Sequence, residues 1–231
     1  MKQFIEDTIL PRVTKPTRYQ GTELNSVHKA WESVSVRMAF AFPDVYEVGM
    51  SHLGLRILYH LVNKREDTLM ERVFAPWTDM EEQLRRHQVP LFSLESYRPL
   101  TDFDAIAFTL QYEMSFSNIL NMLNLAGIPL RSAGRGEDMP LVLAGGPCAF
   151  NPEPLSAFID AFVIGEGEEI IHKLIVTIKE WKQQRRDGGK EGLLRRLTAV
   201  PGVYVPDFYD VSYNDNGTIQ QVVPKFPFMP P

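Results

Sequence analysis

Cysteine is nearly absent from this chain, since Cys148 is the single one among 231 residues. One cysteine cannot form an internal disulfide, and such scarcity is typical of proteins in a reducing compartment, so we expect a cytoplasmic protein. One cysteine also cannot hold an iron–sulfur cluster, which needs about three or four thiolates. Chemistry that depends on a cysteine-ligated cluster is therefore excluded for this chain by itself.

Long apolar runs and an excess of basic charge are absent as well. No apolar stretch approaches the roughly 20 residues needed to cross a bilayer. The first residues, MKQFIEDTILPRV, contain neither the apolar region nor the cleavage site of a signal peptide. The net charge is −5, and the basic residues are scattered, whereas proteins that bind nucleic acids present a basic face. We expect neither a membrane nor a nucleic acid as partner.

Strand-like and helix-like segments alternate along the chain. Buried strands are predicted where short apolar runs end at glycine or in a polar loop, at residues 35–42, 69–74, 105–110, 141–144 and 161–164, with a short edge strand at 91–94. Amphipathic helices are predicted between and after them, at about residues 51–63, 78–87, 115–126, 167–186 and 191–199. The alternation predicts a doubly wound, mainly parallel α/β sheet of the Rossmann or flavodoxin type, with helices on both faces.

Capping residues and turn signals set the expected boundaries. Ser51 is predicted to cap the first of these helices, and Thr78 or Asp79 the second. The turn NDNG at residues 214–217 predicts a C-terminal β-hairpin.

We divide the chain into an N-terminal arm, a main domain, and a segment that holds the hairpin and a proline-rich linker, at residues 1–32, 33–200 and 201–231. The predicted parallel strands end at Ile164 and the last helix at Ala199. We therefore expect a chain trimmed after Pro201 to remain folded.

Four loops are predicted to lie at one edge of the sheet, because each follows the carboxyl end of a strand: residues 44–49, 109–113, 145–151 and 165–168. Ligands of open α/β sheets bind at this edge, and glycine there lets the backbone approach a ligand closely. Neither the G-x-G-x-x-G fingerprint nor a P-loop occurs in these loops, so NAD and ATP are disfavoured as ligands.

Four segments carry a resemblance to a known family: FPDVYEVGMSHLGLRILYHLVN (42–63), FTLQYEMSFSNILNML (108–123), LAGGPCAFNPEP (143–154) and VIGEGEE (163–169). With this set the chain resembles the N-terminal, cobalamin-binding-like (B12-binding-like) domain of B12-type radical SAM proteins of largely unassigned function. The resemblance implies these cofactor-binding positions: Asp44, Tyr46, Gly49, Thr109, Gln111, Gly145, Gly146, Gly165, Glu166 and Gly167.

The resemblance gives two opposed signs about cobalamin. Domains that bind it base-off supply a histidine to cobalt from a D-x-H-x-x-G loop, but here Tyr46 stands at the histidine position between Asp44 and Gly49. The glycine pair that flanks the nucleotide tail is kept as Gly145-Gly146, whereas the S-x-L segment is replaced by residues 109–111. We expect cobalamin to bind weakly or not at all, without a protein nitrogen on cobalt.

In such proteins this domain precedes a radical SAM barrel, whose C-x-x-x-C-x-x-C loop holds a 4Fe–4S cluster that acts on S-adenosylmethionine. The resemblance implies a domain that covers or presents substrate and cofactor to that barrel. The chain lacks the motif, so we expect a truncated product or a partner chain that supplies the barrel, and no activity alone. Two alternatives stay open: a free-standing ligand-binding or interaction module, and a small flavodoxin-like hydrolase or transferase, for which no nucleophile–base pair is evident.

Other candidate residues have a structural interpretation beside the functional one. His52 is either a helix-start residue or a displaced metal ligand, and Cys148 either a small buried side chain or a group facing a ligand. His60, His87 and His172 lack metal-ligand spacing and are interpreted as structural. The carboxylates that are either acid–base groups or turn and cap residues are Glu47, Glu113 and Glu166.

Overall fold

The computed structural model describes residues 1–227 and 229. One sheet contains β1 (Val36–Phe42), β2 (Thr68–Phe74), β3 (Ala105–Thr109), β4 (Leu141–Gly145), β5 (Ala161–Val163) and β6 (Val203–Tyr204). The strand order is β2-β1-β3-β4-β5-β6, and the strands are parallel except β6, which runs antiparallel to β5. The order 2-1-3-4-5 of the parallel strands is a common doubly wound arrangement. The predicted fold class is confirmed.

The helices cover both faces of this sheet. Their bounds are α1 (Lys2–Phe4), α2 (Tyr46–Ser51), α3 (Leu53–Asn63), α4 (Thr78–His87), α5 (Phe116–Leu125), α6 (Gly167–Gln183) and α7 (Gly189–Leu197). Shorter helical turns lie at Ile5–Ile9, Leu10–Arg12, Pro16–Tyr19, Trp31–Ser33, Leu100–Asp102, Glu113–Ser115, Ser132–Gly134, Pro147–Phe150, Glu153–Leu155 and Pro206–Phe208. None of the helices in the described part of the chain is long and apolar enough to cross a bilayer.

Strand side chains alternate between two apolar layers. On β1, Met38 and Phe40 pack with α3, α6 and α7, whereas Ala39 and Ala41 pack with α4, α5 and the N-terminal arm. Because helices cover both faces, nearly every position of the central strands is buried and their sequences are mostly apolar. That is why the short apolar runs predicted the strands.

The outer strand β2 is closed to pairing with a further strand. Asn63 substitutes for a neighbouring strand: its Oδ1 accepts from the Met70 N–H and its Nδ2 donates to the Met70 carbonyl, both at 2.9 Å. Arg72, two residues after Met70 on the same strand, is bonded in a similar way. Its N–H donates to a Glu95 carboxylate oxygen at 2.8 Å, and its carbonyl accepts from the Leu94 N–H at 2.9 Å. The outward-facing backbone groups of Met70 and Arg72 are thus already satisfied.

The C-terminal segment contributes to the sheet and to the core. The parallel strands end at β5 as expected, but β6 adds a sixth strand from beyond Pro201, through Tyr204 opposite Phe162. Val205 and Phe208 are buried against the layer that contains α3, α6 and α7. The segment after Pro201 therefore adds one antiparallel strand and two buried side chains to the main domain, while the stability of a trimmed chain stays a prediction.

The predicted hairpin is present as a separate two-stranded sheet of β7 (Tyr209–Tyr213) and β8 (Ile219–Pro224). After it the chain returns to the core, where the Phe226 ring lies edge-on to Phe208 at 5.3 Å and Met229 is buried. The predicted linker also includes residues 228, 230 and 231, which lie outside the described residues. The three-part division of the chain stays a prediction.

Several predicted boundaries need correction. Ser51 is not the start of the first helix after β1. Helix α2 occupies part of the predicted loop and ends at Ser51, and α3 begins after His52. Ser51 instead donates its hydroxyl to the Glu47 carbonyl at 2.7 Å. The N-cap of α4 is Trp77, which makes no side-chain capping bond, and Asp79 in the first turn accepts from the Met80 N–H and from the Thr14 N–H of the arm, both at 2.7 Å. At residues 91–94 the structure has a single bridge to Pro99 instead of a strand.

Candidate functional site

A cavity of about 370 Å³ lies at the carboxyl ends of β1, β3, β4 and β5, between the sheet and helices α3 and α6. Its floor consists of strand side chains and its roof of helix side chains, all apolar: Phe40, Ala107, Leu143, Val163, Leu58, Ile171 and Leu174. Polar side chains that line it are His52, Thr109, Gln111 and Glu168. An apolar cavity with a few polar groups, of this volume, is typical of a site for a small organic ligand.

Glycines form the wall of the cavity next to the strand ends. Gly146 has φ +105°, and a Cβ there would lie 2.9 Å from the Leu110 carbonyl oxygen, so a larger residue would disturb the turn after β4. At Gly165, where φ is +114°, a Cβ would meet no atom within 4 Å. The backbone at Gly165 is therefore open to the space in front of the strand ends.

The structure brings together six of the ten positions that the resemblance indicated: Thr109, Gln111, Gly145, Gly146, Gly165 and Gly167 line the cavity. Asp44, Tyr46, Gly49 and Glu166 are not among the lining residues. The separation has a simple basis, since three of these four come from the loop and short helix after β1, which pack on the outer strand and the arm. The role of all ten in binding stays a prediction.

Tyr46, at the position of the cobalt-ligating histidine, contacts the N-terminal arm. Its hydroxyl donates to Glu23 Oε1 at 2.6 Å, and its ring lies edge-on to Phe74 with 5.5 Å between centroids. Burial and the Glu23 carboxylate raise the pKa of Tyr46 to about 12. The phenol therefore stays protonated and serves as a hydrogen-bond donor within the fold.

The Glu23 carboxylate also belongs to a buried ionic network. Arg72 Nη2 donates to Glu23 Oε2 at 2.7 Å, and Arg72 Nε donates to Glu95 Oε1 at 2.6 Å. The Tyr59 ring lies 4.9 Å from the guanidinium. Burial tends to raise the pKa of Glu23, but the Tyr46 hydrogen bond and the Arg72 charge outweigh it, so this pKa is lowered. The network fixes Tyr46 away from the cavity.

Asp44 and Gly49 have structural contacts of their own. Asp44 accepts from the Val45 N–H at 2.7 Å and from the Tyr112 hydroxyl at 3.2 Å, which links the loops after β1 and β3. Gly49 is buried against β2, where a Cβ would lie 2.2 Å from Phe74 Cε1. Glycine is needed at position 49 for helix–sheet packing.

None of the three candidate acid–base carboxylates, Glu47, Glu113 and Glu166, is among the residues that line the cavity. Glu47 is held by Arg18 at 2.9 Å and Lys15 at 3.2 Å, and the Arg18 hydrogen bond is the largest cause that lowers the pKa of Glu47 to about 2. Glu166 is exposed at the start of α6 and makes no capping hydrogen bond.

Burial and the nearby Glu113 raise the pKa of the Cys148 thiol. Within residues 1–227 and 229, no three His, Cys, Asp or Glu side chains converge as a metal site would require.

His52 lies at a helix start, as one of its two interpretations predicted, whereas its place in the cavity, like that of Glu168, was not predicted. It is the N-cap of α3, where its Nδ1 accepts from the Leu55 N–H at 3.1 Å, and it lines the cavity beside Gly54. Its ring packs against Phe42 with 5.4 Å between centroids. The order His-Leu-Gly at a helix start is the signal that could have identified it. His60, His87 and His172 are on α3, α4 and α6, outside the cavity.

Exposed apolar side chains surround the same edge of the sheet. They come from the loops and helix starts after β1, β2, β3 and β4, with exposed fractions between 44% and 85%: Val48, Leu53, Trp77, Tyr112, Met114 and Phe150. Clusters of exposed apolar residues mark sites of protein–protein contact. We call these six residues the apolar rim.

Comparison with known proteins adds the family context. The profile of the family described as "Radical SAM proteins, N-terminal" matches residues 54–206, about two thirds of the chain. An uncharacterised protein of Methanocaldococcus jannaschii is 26% identical over 141 residues, which are 60% of this chain and 26% of that protein. The chain thus spans about a quarter of the relative's length. No solved structure matches it.

Proposed function

Because the chain belongs to the family of radical SAM N-terminal domains, we propose that it presents a small organic ligand to a radical SAM catalytic domain, in the same polypeptide or in a partner chain. The observation that carries the proposal is the combination of an apolar cavity and the apolar rim at one edge of the sheet. The cavity supports ligand binding, and the rim supports contact with another domain. Cluster and S-adenosylmethionine chemistry belongs to the catalytic domain.

The position of the cavity supports the ligand-binding part of the proposal. It lies at the carboxyl ends of β1, β3, β4 and β5. The chain passes from β1 to β2 on one side and then from β2 to β3 on the other side of β1, so a topological switch point lies between β1 and β3. Ligands of doubly wound folds bind at such points, outside the carboxyl ends of the strands. The glycine wall leaves the backbone accessible to a ligand that enters from this edge.

The apolar rim supports docking of the catalytic domain over the mouth of the cavity. Met114 is 85% exposed and Phe150 73% exposed, although both are large apolar residues. They follow the adjacent strands β3 and β4. Covering them with another domain would bury apolar surface and stabilise the contact by about 25 cal/mol for each Å² buried. A domain that docks there would also exclude water from the ligand.

Cobalamin, which the resemblance implies as cofactor, fits this chain only in part. The cavity suits an organic group, but Tyr46 is bonded to Glu23 and His52 Nδ1 is used by Leu55. We therefore propose that cobalamin binds weakly or not at all, and that no protein nitrogen ligates cobalt in any bound form. With Cys148 as the one thiol, the chain does not fit a 4Fe–4S cluster.

The docking proposal is tested with the separately produced catalytic domain of the same enzyme, identified by its C-x-x-x-C-x-x-C motif. Calorimetry would compare the natural chain with Phe150→Glu and with a control, Val176→Glu, on α6, where Val176 is 40% exposed. A buried charge at the contact should weaken association at least about tenfold for Phe150→Glu alone. Equal affinities for all three chains would refute docking through the rim. Ligand binding without any association would then favour a free-standing ligand-binding module.

A further inference from the structure

We infer that His52 is a fixed hydrogen-bond donor of the cavity and makes it select neutral ligands that carry an acceptor, such as a carbonyl or ring nitrogen, on an apolar body. This inference rests on the proposed ligand-binding function. It assigns a specificity-determining role to a residue outside the loop 44–49, which corresponds to the D-x-H-x-x-G loop of cobalamin domains and has Tyr46 at the histidine position.

The hydrogen bond that caps α3 determines which nitrogen of His52 carries the proton. Nδ1 accepts from the Leu55 N–H at 3.1 Å, so this nitrogen must present its lone pair. A neutral imidazole with an accepting Nδ1 carries its hydrogen on Nε2. No residue in the described part of the chain accepts a hydrogen bond from Nε2. The side chain therefore has one unused donor.

Packing holds the ring in one orientation. The Phe42 ring lies 5.4 Å away between centroids, and a Cβ at position 54 would lie 2.9 Å from His52 Cε1. Glycine at 54 thus leaves the room that the imidazole needs over the start of α3. The Leu55 hydrogen bond and the Phe42 contact hold the imidazole in place, and the absence of a side chain at Gly54 leaves room for it. The Nε2–H donor therefore keeps its direction when no ligand is bound.

The surroundings of His52 determine the kind of acceptor. Phe40, Leu58 and Leu143 give the cavity an apolar interior, where a ligand that covers the donor without accepting from it leaves a desolvated N–H group unpaired. Glu168 lines the side formed by α6, and its carboxylate disfavours anions. An uncharged acceptor next to an apolar group satisfies both conditions.

A matched pair of probes tests this selectivity. Acetophenone and α-methylstyrene have nearly the same shape, and only acetophenone has a carbonyl. Affinities measured by nuclear magnetic resonance titration give the preference for acetophenone in the natural chain and in His52→Ser, which keeps a good N-cap without the imidazole. We expect the preference to fall about three- to tenfold in His52→Ser. Gly54→Ala, which keeps the histidine and displaces its ring, should lower the preference in the same direction.

A readout that needs no ligand accompanies the titration. Nitrogen-15 spectra of the histidine side chains, with the His52 signals assigned by their loss in His52→Ser, should show the hydrogen on Nε2. A hydrogen on Nδ1 would overturn the inference. Binding of both probes with an unchanged preference in His52→Ser would overturn the inference alone. Binding of neither probe to the natural chain would overturn it together with the proposed ligand-binding function.

Discussion

The Tyr46 hydroxyl donates a 2.6 Å hydrogen bond to Glu23, so the residue at the ligand position of the cobalamin motif is tied to the N-terminal arm. Arg72 contacts the same carboxylate at 2.7 Å and connects the pair to the outer strand of the sheet. Tyr46 thereby acts as a structural residue, and the arm becomes part of what holds the loop after β1 in place.

Removing this hydroxyl should cost stability. We predict that Tyr46→Phe lowers the free energy of unfolding by about 1–2 kcal/mol, because a hydrogen bond to a charged group is lost while the ring contact with Phe74 is kept. Urea unfolding measures the change. Tyr112→Phe serves as a control, since its hydroxyl bond to Asp44 is exposed. Equal losses in the two variants would contradict the special role of the Tyr46 bond.

Restoring the histidine of the motif should not restore cobalt ligation. In Tyr46→His the imidazole would occupy a position that does not line the cavity, and His52 keeps Nδ1 engaged with Leu55. We predict that paramagnetic resonance of Co(II) cobalamin, mixed with the natural chain or with this variant, shows no superhyperfine splitting from a protein nitrogen. Splitting that appears with Tyr46→His would mean that the loop rearranges to reach cobalt. Splitting in the natural chain that disappears in His52→Ala would make His52 the ligand.

The arm should loosen in acid. The pKa of Glu23 is lowered from its ordinary value of 4.5 in the folded chain, so its carboxylate contributes stability that is fully present above pH 4.5. This contribution is lost as the pH falls through the lower, folded-state pKa. Urea unfolding between neutral pH and pH 3 should therefore show a steeper loss for the natural chain than for Glu23→Gln. Parallel curves would exclude Glu23 as a source of the acid sensitivity.

Two truncations should differ in stability. A chain that ends at Pro201 loses β6, Val205 and Phe208, and we predict a loss of more than about 4 kcal/mol or of cooperative unfolding. A chain that ends at Phe208 keeps these elements and loses the largely exposed hairpin with Phe226, so it should unfold cooperatively with a smaller loss. Thermal unfolding followed by circular dichroism compares them. Equal stability of the two truncated chains would mean that β6 contributes little.

The chain alone should lack radical SAM activity. After anaerobic treatment with iron and sulfide, we predict no stoichiometric absorption of a 4Fe–4S cluster and no 5′-deoxyadenosine from S-adenosylmethionine, because one cysteine cannot replace three ligands. The catalytic domain treated in parallel is the positive control. Appreciable cluster formation in this chain would place the chemistry here and contradict the proposed division of roles.

The fold was readable from the sequence because its strands are buried on both faces. The residues 105–108 and 141–144 are apolar throughout, and each of these runs ends at the ligand edge of the sheet. Such runs directly predict the parallel strands. The glycines at 145 and 146 were likewise placed at that edge in advance. Local patterns sufficed for these features.

The contents of the site depended on contacts between distant parts of the chain. Tyr46 turns to the arm because Glu23 and Arg72 meet there, and these two residues are 49 positions apart. Gly49 packs on Phe74 of a later strand. The break at His52 depends on the same packing, because α2 must lie on β2 before α3 can run back along the sheet. Motif matching could not separate these structural residues from those that line the cavity.

The closed outer strand has a consequence for how this protein behaves while it is being made. Asn63, Leu94 and Glu95 already use the backbone groups of Met70 and Arg72 that a second copy would need. At the opposite end of the sheet, β6 is two residues long and Pro206 follows closely, which leaves little to extend. Within the described residues, the six-stranded sheet therefore offers folded copies crowded on a polysome no long free strand edge along which to polymerise. Encounters at the ends of this sheet are then governed by side chains, so surface substitutions there can change solubility during synthesis without altering the sheet.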